Sequence, residues 1–404
     1  MQKMDQKLSK ESPMKFLGDD DQAHTEPHDT YRIAYMIHFF LGAGNLLPWN
    51  AFITAIDYFG YVYPSYHVEK VFAVAYMGSS LLVLASMMFF GGRLSVRWRL
   101  NVGFSMFIFS LLVTVTQLMD WTRQNSRWSG SYKMTVAAIS VCGLADGLIG
   151  GSLLGSAGKL PKQYMQAVFA GTASSGFFVC IMRIVTKASL PQTPQGLRSS
   201  VQLYFFVSSI ILLLCIACCN FLHKLPVMEQ HQRELHLDHS RSSFWRVAKK
   251  IKAPALGVFM IYVVTLSIFP GFLAENLKSK VLQDWYPVLL ITAYNASDLL
   301  GKCLTAVYIV KSIKKATWCC LARLVMYPLF AACLHGPKWL RAEVPVVVLT
   351  FILGLTNGYL TSLIMILTPK TVPNSEAEVA ALVMAVSLAV GLLTGSAVGW
   401  IWII

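Results

Sequence analysis

Long apolar runs separated by short polar breaks dominate the chain, and within the runs apolar and polar positions do not alternate. Eleven runs stand out: 32–56, 70–91, 101–119, 136–157, 166–186, 202–222, 253–274, 287–310, 317–334, 343–368 and 379–402. Each approaches the ~20 residues with which an α-helix crosses the ~30 Å hydrocarbon layer. Lipid offers no partner for backbone N–H and C=O groups, so such runs must be helical, and the alternating strands of ~10 residues expected of a membrane barrel are not seen. The expected fold class is all-α, a polytopic membrane protein with eleven transmembrane helices.

One internal break is long, 223–252, and it is rich in His, Glu, Gln and Lys. It divides the spans six plus five. The predicted organisation is a disordered cytosolic tail (1–31), a six-helix half (32–222), a cytosolic linker (223–252) and a five-helix half (253–404). Two helical halves of this kind rock about a site near the midplane in many transporters. A faint internal echo agrees: span four reads Gly151-Ser-Leu-Leu and ends at Leu160-Pro161-Lys162, and span ten reads Gly358-Tyr-Leu-Thr and ends at Thr368-Pro369-Lys370.

Composition removes the soluble alternatives. With 55% hydrophobic and 13% charged residues, the chain has about half the charge of a soluble globular protein. The 34 Lys and Arg outnumber the 20 Asp and Glu, and most of them fall in segments on the N-terminal side. By the positive-inside rule the N-terminus is cytosolic and the C-terminus lies opposite. The excess positive charge is then topological, and no nucleic-acid partner is expected. All nine cysteines fall inside spans, so no disulfide framework is expected. The tail lacks an apolar stretch followed by a cleavage site, which makes span one an uncleaved insertion signal. His223, His231, His236 and His239 lack zinc-ligand spacing, and the run from Gly155 to Leu160 lacks the spacing of a phosphate loop. No cofactor is expected.

Polar residues inside spans carry the chemistry. Span one reads His38-Phe-Phe-Leu-Gly-Ala-Gly-Asn45-Leu46-Leu-Pro48-Trp49-Asn50. Pro48 is expected to kink this helix near mid-bilayer. Asn45 and Trp49 share one face, and Leu46 and Asn50 the adjoining one. Helix packing through Gly42 and Gly44 is the plainer account of the same stretch. Span eight carries Asn295, Ser297, Asp298 and Lys302. A buried charge needs a partner or water, and Asp298 with Lys302 at i+4 can pair on one face, either lining a cavity or simply locking the bundle. Asp146 and Arg183, on spans four and five, are expected to pair with each other. Arg323 is expected to snorkel to the membrane surface. The four-residue glycine repeats Gly147-Gly151-Gly155 and Gly391-Gly395-Gly399 read as packing seams.

With these residues in view, the chain resembles the equilibrative nucleoside transporters, especially the plant members, from about Tyr31 onward. The motifs that carry the resemblance are Leu46-Leu-Pro48-Trp49-Asn50, Gly151-Ser-Leu with Gly155, Phe269-Pro270, Asn295-x-x-Asp298-x-x-Gly301 with Leu304-Thr-Ala, and Asn357-Gly-Tyr-Leu. The resemblance implies a major-facilitator-like 6+5 bundle that moves nucleosides such as adenosine and uridine by alternating access. It implies that Leu46, Trp49 and Asn50 line the solute cavity, that Phe269 stacks from span seven, and that Asn295, Asp298 and Lys302 lie near the substrate. Lys302 stands where many members have Arg, and an ammonium lacks the planar donor fork of a guanidinium. Gly150 stands where many have Gln, so no side-chain amide is expected from that position.

An uncharged ring-plus-ribose solute suits an apolar pocket with a few aligned polar groups. No clamp of several cations for a phosphate is visible. Plant relatives look proton-coupled, and Asp57 and Asp146 are the candidate proton carriers. Asp57 is favoured because it has no i+4 cation, although an interfacial acid capping the helix end is an equal reading. A carrier of nucleobases or another small neutral solute is the alternative. A membrane-embedded enzyme would need clustered acids or histidines at one face, and the ionisable groups here are scattered. The membrane expected is the plasma membrane or the vacuolar membrane.

Overall fold

The computed structural model describes residues 32–66, 68–90, 94–120, 128–225, 244–275, 277, 279–310 and 312–399. The tail and His231, His236 and His239 lie outside the described residues. Every element among the described residues is helical: α1 (Ile33–Thr54), α2 (Ile56–Val62), α3 (Val68–Phe90), α4 (Val96–Asp120), α5 (Trp128–Lys159), α6 (Lys162–Ser189) and α7 (Pro194–Leu222) come before the long break. After it come α8 (Phe244–Lys250), α9 (Lys252–Ile268), α10 (Gly271–Glu275), α11 (Trp285–Val307), α12 (Ile313–Ala322), α13 (Met326–His335), α14 (Glu343–Leu367) and α15 (Asn374–Val398).

Among the described residues, nine segments are long and apolar enough to cross a membrane, or ten with the bent pair α1 and α2. The helix that would complete the expected eleven is α11. It has the length, but Asn295, Ser297, Asp298 and Lys302 interrupt its apolar character. Its polar residues face neighbouring helices rather than lipid, so the bundle shelters what composition alone would reject. Chain order gives a layout of six helices and then five. The expected linker is partly helical, since α8 begins at Phe244 and Lys250 pairs with Glu376 of α15 at 2.7 Å.

The expected kink is displaced. Helix α1 runs unbroken through Pro48, and the chain turns by 47° at Ala55, between α1 and α2. Proline removes one backbone donor, and close packing holds the helix in the two turns before the loss. A methyl at Gly42 would collide with the Val168 carbonyl of α6, and one at Gly44 would lie 2.5 Å from Cys215 Sγ of α7.

The glycine seams are as expected. Gly147 meets Ser80 and Gly151 meets Leu84 and Met87, which fits α5 to α3; Gly391 meets Phe259 and Gly395 meets Tyr262, which fits α15 to α9. Backbones that touch in this way leave little room for water along the seams.

The two parts of the chain meet along α3 with α15 and α6 with α11. At the end of the bundle that holds the C-termini of α5 and α14, Lys159 pairs with Glu378 at 2.5 Å. There Lys370 Nζ donates to the Leu160 carbonyl at 2.7 Å. The ends of spans four and ten, which echo each other in sequence, are therefore in contact.

Candidate functional site

The first cluster of polar side chains forms where α1, α6 and α11 converge. On α1, Asn45, Leu46, Trp49 and Asn50 are half-buried, whereas Gly44, Leu47, Pro48 and Ala51 between them are buried. The 3.6-residue repeat sorts the segment this way. Its small residues press on α6 and α7, while Asn45 turns toward α5, Trp49 toward α3 and Asn50 toward α6. Trp49 stacks on Tyr76 of α3, with ring centroids 4.4 Å apart, so one face of the indole is already covered.

Asn50 Nδ2 donates to Ser175 Oγ of α6 at 3.0 Å. Asn295 of α11 approaches the same turn, donating to Cys180 Sγ at 3.4 Å and to its own Ile291 carbonyl at 3.0 Å. Gly176 makes this convergence possible. A methyl there would lie 2.5 Å from Asn295 Oδ1 and 3.5 Å from Asn50 Nδ2. One missing side chain thus lets an amide from the first half and an amide from the second share one spot.

The second cluster is separate and more enclosed. Asp298 and Lys302 of α11 form the expected ion pair at 2.9 Å and are 6% and 5% exposed. At that exposure they belong to a packed interior rather than to a wetted wall. Asn357 of α14 donates from Nδ2 to Asp298 Oδ1 at 2.7 Å. The Asn357 carbonyl oxygen faces the Thr265 hydroxyl of α9 at 2.8 Å and Arg323 Nη1 at 3.4 Å.

Arg323 does not snorkel. It sits at a 3-10 turn between α12 and α13, 3% exposed. Its guanidinium donates to the carbonyls of Ile261 and Leu353 and to Thr265 Oγ1, each at 3.0 Å. Four neutral acceptors inside the bundle outbid a single aqueous contact, because a planar fork of donors can bridge two helices at once.

Phe269 caps α9 at the break before α10 and stacks on Tyr294 of α11, with centroids 3.9 Å apart. It therefore braces α11 at the residue before Asn295. Asp298, in contrast, turns toward α14, and among the described residues no hydrogen bond joins the two clusters.

The expected pairing of Asp146 with Arg183 is not found. Arg183 pairs with Asp57, whose side chain is 57% exposed. Asp146 instead accepts from Ser80 Oγ at 2.7 Å, with Tyr76 alongside. Neighbouring helices in sequence need not present their charges to each other, and α6 turns Arg183 toward the junction of α1 and α2. The absence of an i+4 cation, which favoured Asp57 as proton carrier, is thus offset by a cation from another helix.

Sequence reasoning gave no role to Ser175, Gly176 or Thr265, placed Arg323 at the membrane surface, and held Asn357 only as part of a motif.

A family model described as "Nucleoside transporter" matches residues 136–242 and 237–404. The chain is 62% identical over 380 residues to Equilibrative nucleotide transporter 8 of Arabidopsis thaliana, covering 94% of this chain and 97% of that protein. The chain belongs to the nucleoside transporter family. Equilibrative nucleotide transporter 1 of the same plant is 46% identical over 394 residues, covering 94% of this chain and 88% of that protein. Among solved structures, a proton:xylose symporter of the major facilitator superfamily superposes with a TM-score of 0.65 at 13% identity, covering 93% of this chain and 89% of that one. A bacterial homologue of the iron transporter ferroportin gives 0.62 at 12% identity, covering 90% and 92%. At such identities the likeness concerns the fold, which is that of the major facilitators. The family member described here is a multi-pass membrane transport protein, not an enzyme.

Proposed function

We propose that the chain carries nucleosides, adenosine and uridine among them, across its membrane by alternating access. The solute would sit between the α1 stripe and Asn295, with residues 32–222 and 253–404 as the two moving halves and 223–252 as their connection. The observation that carries this reading is the meeting of Asn50 and Asn295 over Gly176. A neutral base-plus-ribose solute needs amides for hydrogen bonds and an aromatic face for stacking, and Asn45, Trp49, Asn50 and Asn295 supply both. Leu46 adds an apolar wall, Phe269 holds α11 in place, and the Asp298–Lys302 pair fixes that helix from behind.

The relatives are named for nucleotides, yet nucleosides fit the site better. Lys302 and Arg323, the cations of the second cluster, are both engaged with the protein's own acceptors, so neither is free to hold a phosphate. Proteoliposomes are expected to take up labelled uridine and adenosine, with competition by unlabelled nucleosides. If free bases, hexoses or nucleoside monophosphates compete equally well, the reading is wrong. We place the N-terminus in the cytosol, as the distribution of Lys and Arg favours.

For coupling to protons, Asp146 suits the role better than Asp57. A carboxylate in the bilayer with hydroxyl neighbours and no cation beside it gains most from taking up a proton, whereas Asp57 already has Arg183. Asp146→Asn is expected to flatten the dependence of uridine uptake on an imposed pH gradient, and Asp57→Asn to leave it. A gradient response that survives in Asp146→Asn would remove Asp146 from the mechanism.

A further inference from the structure

One polar side chain in the α1 stripe has no use within the protein. The carbonyl oxygen of Asn45 is enclosed and accepts no hydrogen bond, and no donation from its amino group is present among the described residues. The other in-span amides already discussed, on Asn50, Asn295 and Asn357, all donate to protein acceptors. Leaving an enclosed acceptor unmatched costs roughly 1–3 kcal/mol, a cost that helix packing alone would avoid with leucine at this position.

The surroundings of Asn45 show what would complete it. Across from it on α5 is Gly150, where a methyl would find only the Asn45 amide, with Nδ2 at 3.6 Å and Oδ1 at 3.8 Å. Gly150 therefore differs from its neighbours Gly147 and Gly151, whose missing side chains are filled by α3. It leaves a slot beside an unused amide, and Trp49 lies one helical turn further along the same face of α1. The position that promised no amide in the sequence is thus served by an amide from the facing helix.

We infer that Asn45 reads the edge of the base and that the Gly150 slot admits an amino-bearing purine, so that adenosine is bound through its 6-amino group and N7. A carboxamide offers one acceptor beside one donor, and the 6-amino group and N7 of adenine offer the complement; this is the bidentate pairing by which Asn recognises adenine in DNA. The amine would supply the donor that the enclosed carbonyl lacks, N7 would accept from Nδ2, and the bicyclic ring would pass over Gly150, where no side chain obstructs it. The inference rests on the reading of the chain as a nucleoside carrier and names the base that this site prefers.

The test compares uptake efficiency in proteoliposomes for adenosine, purine riboside, which lacks the 6-amino group, and 7-deazaadenosine, which lacks N7. The unsubstituted protein is expected to favour adenosine over each analogue by roughly tenfold, the worth of one hydrogen bond in an enclosed site. In Asn45→Leu both ratios should collapse toward one. In Gly150→Leu, which fills the slot, the preference for adenosine over uridine should fall.

Because leucine removes an unmatched carbonyl, Asn45→Leu should fold at least as well as the parent. The analogue series on the unsubstituted protein needs no variant at all. Equal uptake of the three purines by that protein, or ratios unchanged in Asn45→Leu, would overturn the inference while transport stands. Vesicles that move neither adenosine nor uridine would overturn the transport reading and the inference with it.

Discussion

Asp298→Asn is expected to abolish uptake and to destabilise the protein by about 3–5 kcal/mol, the usual cost of removing one partner from a buried charge pair. The second cluster holds one carboxylate between two cations, Lys302 in direct contact and Arg323 one residue away through Asn357. Neutralising the carboxylate leaves two enclosed positive charges with no anion among the described partners of either. Arg323→Met should be milder, because it removes one of the two cations and the Ile261 and Leu353 carbonyls keep their helical partners. The double variant Asp298→Asn with Lys302→Met should recover part of the lost stability without recovering transport. Thermal unfolding in detergent, read beside uptake, separates the two effects. If Asp298→Asn melts with the parent, the charge balance proposed for this cluster is wrong.

Gly171→Ala is expected to impair both folding and transport. A methyl there would drive into the Phe39 carbonyl oxygen and lie 2.8 Å from the Ala43 amide nitrogen. Both obstacles are backbone, so no side chain can rotate away. Gly42 of α1 makes the reciprocal approach to Val168 of α6, and the two glycines together set the spacing of these helices. Overpacking of this kind costs typically 1–3 kcal/mol. Here it would also move Asn50 away from Ser175 and shift the α1 stripe as a unit, so uptake should fall by more than the stability loss alone explains. Gly78→Ala on α3 is the control, since its methyl would meet nothing within 4 Å. A Gly171→Ala protein that melts and transports like Gly78→Ala would show that the seam is looser than described.

Apolar run length was enough to read the all-helical architecture, because a helix in lipid leaves the chain few alternatives. It also exposed α11 by length, although the polar residues of that helix defeat a test based on apolar content. What the sequence did not contain was the direction in which each side chain turns. Arg323 looked like a residue near the surface, and only the simultaneous approach of α9 and α14 gives its guanidinium enough acceptors to remain inside. Asp146 and Arg183 lie on successive helices, but α6 presents Arg183 to Asp57 instead. Pro48 advertised a break inside α1, yet the helix is continuous there and the 47° turn comes at Ala55, where α1 gives way to α2. Asn50 and Asn295 were legible as polar residues in apolar helices. Their meeting over Gly176 was not, because a glycine's partner is set by a helix far away in the chain.

The Lys159–Glu378 pair and the bond from Lys370 to the Leu160 carbonyl close one end of the bundle, and the pair is partly open to water, with side chains 24% and 30% exposed. Contacts of this kind weaken as dissolved ions screen them. The latch on this side is thus electrical and tunable by the solution it faces, whereas the glycine seams along the bundle are steric and indifferent to salt. Carriage in the two directions therefore need not respond alike to the ionic strength of either compartment.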